Sequence, residues 1–128
     1  MKIKITYEEG YRFSVQSGMH QITVDQPKEK GGSDSGMNPL EIFLSSLGSC
    51  IAFYITRYCQ DTKIDPKGFT VDIESELSQE RPLRFKEIKV KINLNQDLGS
   101  KKESFLKFIK NCPVHNTITG QPNVVIEL

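Results

Sequence analysis

Apolar residues alternate with polar ones over much of this chain and crowd together in one long stretch. At the N-terminus Ile3, Ile5 and Tyr7 alternate with Lys2, Lys4 and Thr6, the period of a half-buried strand. Glu9-Gly10 forms a turn, and Tyr11, Phe13 and Val15 repeat the alternation. Gly18 punctuates again before a third short strand, Gln21-Ile22-Thr23-Val24-Asp25. Three short strands joined by tight turns predict an antiparallel meander. Residues 26–36 have no period and carry Pro27, Gly31, Gly32 and Gly36, so they predict a loop. A loop of that length leading into a helix can act as a lid or as a plain surface connection.

The crowded stretch runs from Asn38 to about Cys59 and predicts one long helix. Asn38 suits the N-cap, Pro39 the first helical position, and Glu41 stands at capping-box spacing from Asn38. No charge falls between Glu41 and Arg57. A helix apolar nearly all round is expected to be buried on most sides. At roughly twenty residues it would be about 30 Å long, the width of a small domain. That length raises the question of a membrane span; Gly48, the helix's serines and the polar strands around it favour a soluble core helix.

Beyond the helix, Phe69, Val71, Ile73 and Leu77 predict a strand, Glu80-Arg81-Pro82 a turn, and Ile88, Val90, Ile92 and Leu94 its antiparallel partner. The apolar face of this hairpin requires a helix laid across it. Gly99-Ser100 predicts the start of a second helix, with Ser100 as cap, Glu103 at capping-box spacing and Phe105, Leu106 and Ile109 as the buried stripe. Asn111-Cys112-Pro113 breaks it, and Pro113 can start a further turn through Ile118. Val124, Ile126 and Leu128 predict a terminal strand. The order gives an α+β fold of antiparallel sheets packed on a long central helix, as a single domain over residues 1–128. So apolar a helix needs more cover than one small sheet provides, so a homodimer with the helix near the interface is expected.

Composition narrows function mostly by exclusion. A net charge of +1 gives no reason to expect nucleic acid or an anionic membrane as partner. The lysines of the first five residues precede no apolar run, so no signal peptide is expected. Three cysteines, an odd number, argue against a disulfide framework and for a reducing compartment, the cytoplasm.

The chemistry therefore rests on Cys50, Cys59 and Cys112. Cys50 and Cys59 are nine residues apart on one helix, on opposite faces and about 13 Å apart along the axis, too far for a disulfide. Cys59, at the helix end, reads as a small buried hydrophobe. Cys112 precedes a proline at a helix N-cap, where unpaired amides favour a thiolate. From the residues alone two readings stay open for Cys50 and Cys112: a dithiol pair, or two structural cysteines. Cys112 and His115 have C-x-x-H spacing, but no second ligand pair exists for zinc, and His115 reads as an ordinary helical histidine. His20 reads as exposed. The glycines of residues 31–36 do not follow a strand in a βαβ unit, so no dinucleotide site is expected.

Three segments carry a resemblance: Gly31-Gly32-Ser33-Asp34-Ser35-Gly36-Met37-Asn38-Pro39-Leu40-Glu41, Leu44-Ser45-Ser46-Leu47-Gly48-Ser49-Cys50, and Cys112-Pro113-Val114-His115-Asn116-Thr117. Together they resemble the OsmC/Ohr family of osmotically inducible and organic-hydroperoxide-resistance proteins, over essentially the whole chain. The resemblance implies an intertwined homodimer with active sites at the subunit interface. It implies a cysteine-based peroxidase with Cys50 as peroxidatic and Cys112 as resolving cysteine, an organic hydroperoxide as substrate, an external dithiol as reductant and no cofactor or metal. The apolar neighbours Phe43, Leu47, Phe53 and Tyr54 suit an organic peroxide. The resemblance also implies an arginine that holds the thiolate and a glutamate that positions it. Arg12, the one arginine before the helix, and Glu41 are the candidates, with Arg57 a second cation. In the hydroperoxide reductases the glutamate directly follows the proline; here Leu40 holds that position and Glu41 comes next. The Pro-Leu-Glu form is typical of a branch of OsmC-like proteins for which a non-catalytic role, in small-molecule binding or thiol redox sensing, is the alternative.

Overall fold

The computed structural model describes residues 1–128. The chain forms two compact units, Met1–Ser45 and Ser46–Leu128.

In the first unit, β1 (Lys4–Glu9), β2 (Arg12–Ser17) and β3 (His20–Val24) form an antiparallel sheet in that order. Gly10 and Gly18 make the turns at positive φ, +53° and +58°, where a side chain would be strained. Ile5 faces Val15 and Tyr7 faces Phe13, whose rings meet edge-to-face at 6.1 Å. The alternation therefore sets the register as expected. It does not bury the sheet within this chain: Ile3, Ile5, Tyr7 and Ile22 are all exposed.

The loop after β3 is tied down by a residue that alternation alone gave no reason to bury. Asp25 is 1% exposed. Its Oδ1 accepts from the amide of Gln26, and its Oδ2 accepts from the amides of Ser33 and Ser35 and from the Ser35 hydroxyl, all at 2.8–3.1 Å. Burial pushes this carboxyl up, but the Ser35 hydroxyl and the three amides outweigh it and hold the acid below its ordinary range. Its stabilisation is thus fully present above about pH 4, the unfolded value, and is lost as pH falls through the lower folded value. Thermal melts of Asp25→Asn are expected to lie well below wild type at neutral pH, because an amide nitrogen cannot accept these bonds. The gap should narrow as pH falls below about 4; a constant gap down to pH 2 would show that the ionised carboxylate is not the source.

At the entry to α1 (Pro39–Thr62) the capping box forms as its spacing requires. Asn38 Oδ1 accepts from the amides of Leu40 and Glu41, and Glu41 Oε2 accepts from the amide of Asn38 at 2.8 Å. Burial on most sides, expected only with a second subunit's cover, is not reached by one chain alone. Within this chain α1 buries one stripe, Leu47, Ile51, Ile55, Tyr58 and Cys59, while Phe53 is 62% exposed. The apolar residues run round the whole helix, but one chain supplies cover for only one face. By length and mean hydropathy, 1.4, the helix could cross a membrane; its packed stripe is that of a core helix.

The second unit is built on that stripe. β4 (Thr70–Leu77) and β5 (Phe85–Asn93) pair antiparallel with Val71 opposite Ile92 and Ile73 opposite Val90. This face packs on the α1 stripe, as the alternation requires. Gly48 allows the approach, since a Cβ there would stand 2.9 Å from Ile73 Cδ1. In Gly48→Ala the helix-propensity gain of about 1 kcal/mol opposes a small shift of the flexible Ile73 tip. The net change in stability should stay within about 1 kcal/mol, whereas Gly48→Leu should cost about 1–3 kcal/mol by overpacking; denaturant melts distinguish the two.

Three expectations at the C-terminal end are corrected. Ser100 does not cap the second helix. A 3₁₀ turn, Gly99–Lys101, intervenes, Asp97 Oδ1 accepts from the Gly99 amide, and α2 starts at Lys102 and ends at Ile109. The α2 stripe is Phe105, Phe108 and Ile109; Leu106, about 100° round the helix from Phe105 on the side away from Phe108, is left at its exposed flank. After α3 (Pro113–Gly120), residues 121–128 form no strand, and Val124, Ile126 and Leu128 are exposed. Their alternation is that of a strand, but no strand of this chain pairs with them, and a strand forms only with a hydrogen-bonding neighbour.

Candidate active site

Cys50 lies on α1 one position before the buried Ile51, so its side chain is half-buried at the edge of the packed stripe. Cys112 reaches the same place from the far end of the chain. Phe105 and Ile109 anchor α2 in the core, and Tyr58 holds it from the α1 side. The Tyr58 ring meets Phe105 edge-to-face at 5.2 Å and Phe108 at 5.6 Å, and its hydroxyl is 2.7 Å from Ser104 Oγ. Cys112 follows directly as the N-cap of α3, with Pro113 at the first helical position. This chain of contacts brings the Cys112 thiol beside Cys50, 62 residues earlier in sequence and close enough to interact with it.

The two sulfurs differ in surroundings. Cys112 is fully buried, and its Sγ accepts from the amide of His115 at 3.4 Å, with the Val114 amide also near it. The expected thiolate at this N-cap is corrected. Burial and the contact with Cys50 push the Cys112 thiol up, and the two amides lower it by less. The thiolate form of Cys112 is therefore disfavoured, while Cys50 retains partial exposure. Cys59 is fully buried in the core, pushed up by burial and by Asp65, in keeping with a packing role.

The charged candidates are each engaged locally. Arg12 Nε donates to Glu8 at 2.9 Å and its terminal nitrogen pairs with Glu9 at 3.0 Å. The hydrogen bond with Glu8 and the charge of Glu9 raise its pKa further. A β-bulge between Tyr7 and Glu9 sets Glu9 opposite Arg12. Glu41 is the capping-box acid. Arg57 is exposed and pairs with Asp61 at 3.3 Å, a surface pair of small energetic weight. His115 Nδ1 is 3.3 Å from Asn116 Oδ1, and His20 is exposed, as expected. What the sequence did not reveal is the difference between the sulfurs. The signal was the Cys-Pro N-cap; the depth of its burial was not legible there.

The two sulfurs are thus set in a two-sheet α+β fold, where Cys50, one of two cysteines on the long helix α1, meets Cys112 at the N-cap of α3. The family model for OsmC-like proteins matches residues 32–127, and the chain belongs to that family. Among solved structures, it is similar to a protein of Psychrobacter arcticus provisionally named as osmotic stress induced and detoxification response. That match has 26% identity and a TM-score of 0.81, covering 91% of this chain and 87% of that one. An OsmC-like protein from Mycoplasma pneumoniae gives 24% identity, a TM-score of 0.77 and coverage of 94% and 87%. An organic hydroperoxide resistance protein from Elizabethkingia anophelis gives 21%, 0.70, 94% and 90%, a likeness of fold. The search of curated proteins finds no match.

Proposed function

We propose that this protein is a cytoplasmic thiol-dependent peroxidase for organic hydroperoxides, acting as one OsmC-like domain in a homodimer. The observation that carries the reading is the contact between Cys50 and Cys112, one sulfur half-buried and the other fully buried. The family match and the Elizabethkingia relative's name support the substrate class. The uncovered apolar residues of α1 and of the first sheet support the homodimer, since a second copy would bury them.

The Cys50 thiolate attacks the distal oxygen of ROOH. The O–O bond breaks, the alkoxide takes a proton and leaves as ROH, and Cys50 becomes a sulfenic acid. The Cys112 thiol then condenses with it, forming the S–S bond and releasing water. An external dithiol supplies the two electrons that restore both thiols. Arg12 would hold the Cys50 thiolate and Glu41 would position Arg12, in addition to its place in the cap. No cofactor enters this chemistry.

The test is a single turnover. Reduced protein mixed with one equivalent of cumene hydroperoxide should lose two thiols rapidly, and Cys112→Ser should stop at the sulfenic acid, read by intact mass. Retention of all three thiols for many minutes would exclude the peroxidase. Fast oxidation with no turnover on adding any dithiol would favour the redox-sensing alternative.

A further inference from the structure

The unequal setting of the two sulfurs carries an inference about how the oxidised site is reduced, and it rests on the Cys50–Cys112 disulfide of the proposed function. A thiolate attacks a disulfide along the S–S axis, from the side opposite the leaving sulfur, so the sulfur that can be approached decides which thiol leaves. Cys112 is fully buried within its own chain, among core residues that include Leu47 and Ile109. Cys50 is half-buried. Attack on Cys112 would require passage through that core; attack on Cys50 does not. The charge that develops on the leaving sulfur also has a place to go, because the amide of His115 in the first turn of α3 already donates to Cys112 Sγ.

We propose that reduction is directional: the reductant's thiolate attacks Cys50 Sγ, the S–S bond breaks, and Cys112 leaves as a thiolate received by the α3 amides. The mixed disulfide is thus on Cys50. The second thiol of the reductant then attacks the reductant's own sulfur in that mixed disulfide. This releases the Cys50 thiolate and a reductant disulfide, and the two electrons come from the dithiol. Cys112 takes a proton between the two steps, because its buried site favours the neutral thiol. A protonated Cys112 cannot attack back, so the mixed disulfide lasts long enough for the second thiol to act. The α3 amides are positioning groups that ease departure, and burial of the sulfur enforces the order of events.

The experiment forms the disulfide with diamide, independently of any peroxidase activity. The oxidised full-length protein is mixed with excess β-mercaptoethanol, quenched with acid at short times and digested, and the adducts are mapped by mass. The expected result is β-mercaptoethanol on the peptide of Cys50 at least about ten times more often than on that of Cys112, with Cys112 recovered as free thiol. Adducts mainly on Cys112, or equally on both, overturn the direction while leaving the peroxidase standing. Failure of diamide to link Cys50 to Cys112 overturns both. A second measurement guards against adduct exchange after the first attack: Cys112→Ser, with Cys50 converted to its thionitrobenzoate mixed disulfide, should release thionitrobenzoate rapidly with β-mercaptoethanol. Slow release from the folded variant, comparable to that from Cys59 or other buried thiols, would show that Cys50 is not reachable and would overturn the proposal.

Discussion

Cys50→Ser is expected to lower hydroperoxide consumption at least about 10³-fold, to the uncatalysed rate, without unfolding the protein. A serine hydroxyl is a poor nucleophile toward peroxide oxygen, and no other sulfur can replace Cys50. Cys112 is fully buried with its thiol pushed up, and Cys59 is enclosed in the core. Loss of a nucleophile commonly removes nearly all of the rate that the site provides, and 10³-fold corresponds to about 4 kcal/mol of transition-state stabilisation. Cys50 is at the edge of the stripe, so the isosteric change costs little stability. The check is steady-state consumption of cumene hydroperoxide with dithiothreitol, beside a melt of each variant. Cys112→Ser should give one fast oxidation, after which turnover depends on direct attack of dithiothreitol on the sulfenic acid, so the two variants differ in which step fails. A Cys50→Ser protein with wild-type consumption would remove the peroxidase reading altogether.

The elements of this fold were legible where one period dominated. The strand registers followed from alternation, because shifting a strand by one residue would turn its apolar set to the wrong face; Val71 opposite Ile92 and Tyr7 opposite Phe13 are instances. The start of α1 was legible because Asn38, Pro39 and Glu41 act locally. Features that depend on distant cover were not. Leu106 has the spacing of a core residue, but Phe108 takes the other side of the stripe and Leu106 is left at its exposed flank. Val124 and Ile126 have the period of a strand and no strand in this chain to join. The site divides the same way. That Cys112 stands at an N-cap was readable from Pro113. That desolvation there outweighs two amide hydrogen bonds, and reverses the expected preference for a thiolate, depends on Phe105, Ile109 and α1 packing around it.

Phe105→Ala is expected to cost about 3–5 kcal/mol, the largest stability loss of any single substitution considered for this chain. Phe105 is 2% exposed, the centre of the α2 stripe, and its ring is the edge-to-face partner of Tyr58 at 5.2 Å. Truncation removes buried apolar area and leaves a space that α2, held by a 3₁₀ turn at one end and Cys112 at the other, cannot close by sliding. Because α2 carries the chain to Cys112, the same loss should loosen the Cys50–Cys112 contact. Disulfide formation should therefore slow even where the variant remains folded, while the first oxidation of Cys50 changes less. Phe105→Leu, closer to the original volume, should cost less than half as much. Phe53→Ala supplies the comparison that decides what covers the rest of α1. At 62% exposure in one chain, this change should stay within about 0.5 kcal/mol if that face is free in solution. A loss above about 2 kcal/mol that shrinks on dilution would show that a second copy covers it, and a cost within about 0.5 kcal/mol at every concentration would place no copy there.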